Sequence, residues 1–266
     1  MALAGAAGLT PQAAGAAPPG CKVPTDLLRF NAPLPGLATA LAAGKPVHIV
    51  ALGSSSTEGI GASSPKTSYP VMLQSELRRR FPDSKITVDN LGVGGQLATD
   101  MLRRLKKDVL ARRPTLVIWQ TGVNDAVRHV NLDKFRETVL RGIDMLQEAG
   151  IDVVLLDMQY FPRAEKIRDF PRFLVAMRQI AESRKVPILQ RFAIMKHLVV
   201  SAQFTVHQLL ASDLFHPNDT AYGCLGRFLA DALQGGLVPS VAVPVGGKPQ
   251  PDRAKQAGSV ANIPVH

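Results

Sequence analysis

Several things are scarce or missing from this chain of 266 residues, and each absence narrows the reading. No apolar run approaches the roughly 18–20 residues of a bilayer-crossing helix, so no transmembrane segment is expected. Aromatic residues make up only 5% of the sequence, with a single Trp, and no nucleic-acid fold signature interleaves them with basic residues. His, Cys and carboxylates do not gather at ligand spacing, so no metal is expected. The first loop lacks Gly-x-Gly-x-x-Gly, so no dinucleotide or other cofactor is expected. Cysteine is limited to Cys21 and Cys224. They pair if the N-terminal segment docks beside the last helix; otherwise they are two free thiols.

Acidic residues are also in deficit: 21 against 31 basic ones, for a formal charge of +10. Much of the excess lies in Arg78-Arg79-Arg80 and in Arg103, Arg104, Lys106, Lys107, Arg112 and Arg113. The second group interleaves with Leu102, Leu105, Val109 and Leu110 at helical spacing. This places the charges on the solvated side of an amphipathic helix rather than on nucleic acid. Residues 1–25 are rich in Ala, Gly and Pro, with no charge before Lys22. They read as a flexible segment, either the remnant of a secretory signal or a plain tail. Residues 239–266 read as a second flexible tail, leaving 26–238 as one folded domain. The compartment stays open between periplasmic or secreted and cytoplasmic, and the oligomeric state is open too.

Within that domain, short apolar runs alternate with helical patterns. Strands are expected at Val47–Leu52, Ile86–Asn90, Thr115–Gln120, Ile151–Asp157 and Val186–Leu189. Helices are expected at Tyr69–Arg80, Leu97–Arg112, Leu132–Ala149, Phe170–Ser183 and Asp219–Leu233. Gly150 closes one helix, and Asn218 or Asp219 caps the last. The alternation predicts a three-layer α/β/α sandwich around a five-stranded parallel sheet, flavodoxin-like in type.

Parallel strands send their carboxyl ends to one edge, where ligands bind. Four segments fall at strand ends or just before a helix: Gly53-Ser54-Ser55-Ser56-Thr57, Asn90-Leu-Gly92-Val-Gly94-Gly95, Gly122-Val-Asn124-Asp125 and Asp213-Leu-Phe-His216-Pro217. Together they offer a hydroxyl, approachable backbone N–H groups, a side-chain amide, and an imidazole with a carboxylate three residues before it. Acyl transfer needs such a set. The spacing excludes an α/β-hydrolase elbow, because Thr57 stands where Gly-x-Ser-x-Gly requires glycine.

These four blocks, in this order, resemble those of the SGNH (GDSL-type) hydrolase superfamily. The resemblance implies an esterase with Ser55 as nucleophile, His216 as general base and acid, and Asp213 orienting His216. It also implies an oxyanion hole from the N–H groups of Ser55 and Gly95 and the amide of Asn124. The chain departs from the family pattern at Ser54, where the motif usually has Asp, so Ser54 and Ser56 remain rival hydroxyls. Ser54, Ser56 and Thr57 otherwise read as helix caps, and Gly92 and Gly94 as turn glycines needing positive φ. Asp125 reads as a structural hydrogen bonder, and Asp157, Gln159 and Tyr160 as pocket lining. His48, His129, His197 and His207 read as structural.

The expected substrate is a small-molecule or glycan ester, with short acyl or O-acetyl groups on carbohydrate favoured over long acyl chains. The alternatives are a lysophospholipase or thioesterase, or a non-catalytic protein of the same fold that binds an anionic polymer.

Overall fold

The computed structural model describes residues 20–237. Five parallel strands form one sheet: β1 (Val47–Gly53), β2 (Ile86–Gly92), β3 (Leu116–Gln120), β4 (Asp152–Leu156) and β5 (Ile188–Leu189), in the order β2-β1-β3-β4-β5. This is the expected flavodoxin-like arrangement. The ten α-helices among the described residues are α1 (Pro35–Ala42), α2 (Ser55–Glu58), α3 (Tyr69–Arg80), α4 (Ala98–Arg104), α5 (Val123–Val127), α6 (Leu132–Glu148), α7 (Phe170–Arg184), α8 (Arg191–Val200), α9 (Val206–Leu209) and α10 (Asp219–Gly236).

The inner strands β1, β3 and β4 read as largely apolar runs because both sheet faces are covered there. Edge strand β2 carries Thr87, Asp89 and Asn90 and is only partly buried. Successive side chains alternate between two cores. Val50, Leu52, Val117, Trp119, Val153 and Leu155 face α4, α6 and α7. Ile49, Ala51, Leu116, Ile118, Val154 and Leu156 face α1, α3, α8 and α10. Close packing of α6 on the sheet depends on Gly142, where a Cβ would come within 2.3 Å of the Trp119 ring.

The expected elements are all present, with informative differences at their ends. The helix expected over Leu97–Arg112 is α-helical only to Arg104, then opens into a π turn over Leu105–Val109 and a 3-10 turn over Leu110–Arg112. The change falls where the Arg104 side chain leaves the polar face to bond the carbonyls of Leu91 and Gly53. Strand β5 begins two residues later than expected. Val186 N–H is committed to Ala181 O, closing α7, and Pro187 has no N–H to give. Gly150 follows α6 with φ +71°, and Asn218 caps α10 by accepting from Ala221 N–H. Helices α1, α2, α5, α8 and α9 are additional to those the sequence pattern predicts.

Cys21 and Cys224 form a disulfide, and both are buried. The bridge fastens residues 20–25 to α10, so the folded body begins before residue 26. Of the flexible segments expected over 1–25 and 239–266, residues 1–19 and 239–266 lie outside the described residues. The bridge joins positions 203 residues apart, a long loop whose closure restricts the unfolded chain strongly. Replacing both cysteines with serine is expected to lower unfolding free energy by about 2–5 kcal/mol in urea titration. The native protein should resist a reductant until urea exposes the bridge.

Candidate active site

The sheet order puts β1 and β3 side by side, with the chain leaving them in opposite directions. Their carboxyl ends therefore open a crevice, the usual place for a ligand in an open α/β sheet. Ser54 follows β1 at the N-cap position of α2, without a side-chain cap bond, and Ser55 is the first helical residue. Gly53 must lack a side chain here, because a Cβ would lie 2.1 Å from Thr57 Oγ1. The sharp strand-to-helix turn presents Ser55 Oγ at the crevice, 2.9 Å from His216 Nε2.

His216 enters on the loop before α10. That loop turns through Leu214 at φ +53° and is pinned by Ala211 N–H donating to His216 O. His216 Nδ1 lies 2.6 Å from Asp213 Oδ2, while Asp213 Oδ1 accepts the N–H groups of Phe215 and His216. Partial burial by itself would raise the Asp213 carboxyl. The bonds from the His216 ring and from both backbone N–H groups outweigh that and hold it below the usual carboxylate range. The carboxylate thus stays ionised and fixes the imidazole by one nitrogen, leaving the other for the hydroxyl.

The donors come from β2 and β3. Gly94 packs so that a Cβ on it would meet Ser55 Cβ at 3.9 Å, and Gly95 follows at φ +74°. Gly92 and Gly94 do not take positive φ, contrary to expectation. Gly92 is required for another reason: β2 passes so close to α2 that a Cβ would strike Glu58 N at 2.0 Å. Asn124, on α5, is nearly buried and donates through Nδ2 to Gln96 O at 2.9 Å, which sets its amide beside the glycine loop. Among the described residues, the N–H groups of Ser55 and Gly95 donate to no protein acceptor. Ser55, Gly95, Asn124, Asp213 and His216 are therefore gathered at one place. The set combines a hydroxyl aligned on an imidazole with backbone and amide donors around it.

The sequence model of the non-GDSL lipase-like family matches residues 20–238. The chain belongs to this family. That places it among the SGNH-type ester hydrolases. An arylesterase of Vibrio mimicus is 24% identical over 185 residues, 70% of this chain and 87% of that protein. An acetylxylan esterase of Geobacillus stearothermophilus is 25% identical over 179 residues, 60% of this chain and 78% of that protein. Among solved structures, a two-domain esterase active on acetylated mannans superposes with a TM-score of 0.65 at 21% identity over 79% of this chain. The chain spans only 56% of that esterase's length, so this likeness speaks to the fold alone.

In this non-GDSL lipase-like protein, the turn bearing Ser55 has Ser54 where the motif it resembles usually has Asp. Residues that no motif marked brace this turn. Gln120, at the end of β3, accepts through Oε1 from Ser54 N–H, Ser54 Oγ and Thr57 Oγ1 at 2.9–3.1 Å. Ser56 Oγ accepts from Arg191 Nη1 at 3.0 Å, so the three hydroxyls anchor the turn to its neighbours and do not cap α2. The Arg191 guanidinium is fully buried and also donates to Asp157 O and Gln159 Oε1. Arg104, expected on a solvated face, instead reaches inward to Leu91 O, Gly53 O and Gln96 Oε1. Asp125 accepts from Ala98 N–H, as a structural residue should, and burial pushes its carboxyl up to about 6. Asp157 and Gln159 are framework rather than pocket lining, because both are wholly buried.

Asp157 gives a pH test of this framework. Burial pushes its carboxyl up to about 7, against smaller opposing effects from Phe192 N–H and the Arg191 charge, and its Oδ2 has no partner among the described residues. A carboxyl raised on folding stabilises fully below its unfolded value near 3.8 and loses that contribution as pH rises through about 7. Asp157→Asn should therefore flatten the decline in stability between about pH 4 and pH 7, a decline to which one such group contributes at most roughly 1.4 kcal/mol per pH unit. Thermal melts of both proteins across that range check it: the variant should gain on the parent as pH rises.

Proposed function

We propose that the protein hydrolyses short-acyl esters, foremost O-acetyl esters of carbohydrates, through an acyl-enzyme formed on Ser55. The observation that carries the reading is the aligned row of Ser55 Oγ, His216 and Asp213, with spacings of 2.9 and 2.6 Å. Ser55 Oγ attacks the ester carbonyl as His216 Nε2 takes its proton. Negative charge building on the carbonyl oxygen is met by the N–H groups of Ser55 and Gly95 and by the Asn124 amide. His216 then returns the proton to the departing alcohol. Water, deprotonated by His216, releases the acid and restores the hydroxyl. Asp213, held ionised, stabilises the imidazolium in both halves of the cycle.

The lean toward acetylated carbohydrate draws support from the acetylxylan esterase relative. The arylesterase relative is compatible with the same acyl half and a different alcohol.

Hydrolysis of p-nitrophenyl acetate tests the mechanism. Ser55→Ala should lower kcat by at least about a thousandfold. Ser54→Ala and Ser56→Ala should lower it far less. Asn124→Ala should cost about a hundred- to a thousandfold in kcat. On the acid side, kcat/KM should fall about tenfold per pH unit once the imidazole is protonated. Full activity in Ser55→Ala would overturn the assignment, and a clear preference for decanoyl over acetyl esters would overturn the acyl-size reading.

A further inference from the structure

A groove of about 340 Å³ opens beside His216, lined by Val127, Phe161, Arg163, Lys166, Ile167 and Phe215. Two of its lining residues tie it to the Ser55–His216 site. Phe215 directly precedes His216 and packs its ring edge-on to the imidazole, with centroids 4.8 Å apart, and Val127 ends the short helix that carries Asn124. The floor is apolar and stiffened by the Phe161–Phe215 edge contact at 4.8 Å. A sugar or aryl ring could lie against such a floor.

The charge around this floor has one sign. Arg163 and Lys166 stand on it, and Arg128 Nη2 lies within 3.2 Å of where a Gly95 Cβ would sit. No carboxylate lies within 4 Å of these three cations among the described residues. The nearby acids are committed elsewhere: Glu165 to Lys196, Asp169 to Arg172, Asp213 to His216, and Asp125 to Ala98 N–H. Glu58, the remaining acid near the nucleophile, lies against Gly94 on the β2 side of Ser55 rather than in the groove.

The direction of proton transfer fixes which half of an ester occupies the groove. The leaving oxygen must come within hydrogen-bond reach of His216 Nε2, so the alcohol lies on the His216 and Phe215 side. We propose that the groove binds an alcohol half carrying a carboxylate, as in an acetylated acidic sugar, with Arg163, Lys166 and Arg128 facing the negative charge. This proposal rests on the esterase reading above and specifies its substrate. In the reaction the acetyl carbon transfers to Ser55 Oγ, and the carboxylated alcohol leaves with the proton from His216. Water then frees acetate.

The test compares kcat/KM for 4-acetoxybenzoate with that for its methyl ester, and acetylated polygalacturonate with acetylated xylan. The informative quantity is the acid-to-neutral ratio. Arg163→Glu/Lys166→Glu should lower that ratio about tenfold, and 0.5 M salt should lower it in the parent protein. Lys45→Glu/Lys85→Glu carries the same change in net charge at the opposite end of β1 and β2, and should leave the ratio unchanged. A ratio that responds for both substrate pairs supports an acidic glycan. A response for the aryl pair alone supports the carboxylate subsite but assigns it to small esters. A ratio that ignores the groove variant, or follows the control variant equally, overturns the proposal. Turnover of the neutral esters by the parent protein shows separately whether the esterase reading holds.

Discussion

A guanidinium shut off from water lies beneath the turn bearing Ser55, and much of the candidate site hangs from it. Burying the charge of Arg191 is costly, and leaving any of its partners unpaired would cost more. Its three bonds run to Ser56 on α2, to Asp157 O at the exit of β4, and to Gln159, whose own amide points at Phe215 O from 3.5 Å. The turn bearing Ser55 and the loop bearing His216 are therefore held against the same buried cation. A hydroxyl and an imidazole supplied by segments 161 residues apart need such a common reference if they are to stay within hydrogen-bond reach.

The same logic accounts for Ser54. Where a short, charged Asp would brace the turn through its own carboxylate, this chain uses a neutral acceptor from the next strand. Gln120 Oε1 collects three donors, and its Nε2 is buried without a partner among the described residues. An unsatisfied buried amide is a penalty the fold carries, and it is the kind of compromise found where geometry matters more than stability. The turn is rigid here because β3 and α8 hold it, not because of its own motif.

Much of this was legible in the sequence, for a reason particular to parallel sheets. Strands covered on both faces show as apolar runs, their carboxyl ends share an edge, and residues that punctuate those ends are candidates for chemistry. Ser55, Gly95, Asn124, Asp213 and His216 all sit at such punctuation. The framework was not legible because its members carry no local pattern. Gln120 is the last residue of a buried strand, Arg191 opens a helix that lacks a clear amphipathic stripe, and their partners lie far away in sequence. Arg104 misled for the opposite reason: its neighbours Arg103, Lys106 and Lys107 are on the solvated face, and periodicity alone could not single out the one that turns inward. Gly92 shows the same limit. Its position beside a motif suggested an unusual dihedral, whereas the requirement is the approach of Glu58 N, visible only once β2 and α2 are placed.

The net charge of +10 also divides into parts once the fold is known. Some cations are structural: Arg80 is tied to Glu76 and Asp231, Arg104 bonds loop carbonyls, and Arg191 is sealed inside. Others, such as Lys106 and Lys107, stand in solvent, where their energetic effect is small. The cations around the Val127–Phe215 groove belong to neither class. They lie in the segment near Phe215, which precedes His216, while the acids in their own segment are turned to other partners. Screening weakens exposed charges at a distance, but a ligand held in the groove brings its charge close to Arg163 and Lys166, which line it. A positive chain therefore need not be one that binds polyanions over its whole surface. On the proposal above, the excess matters at one short stretch beside the candidate site.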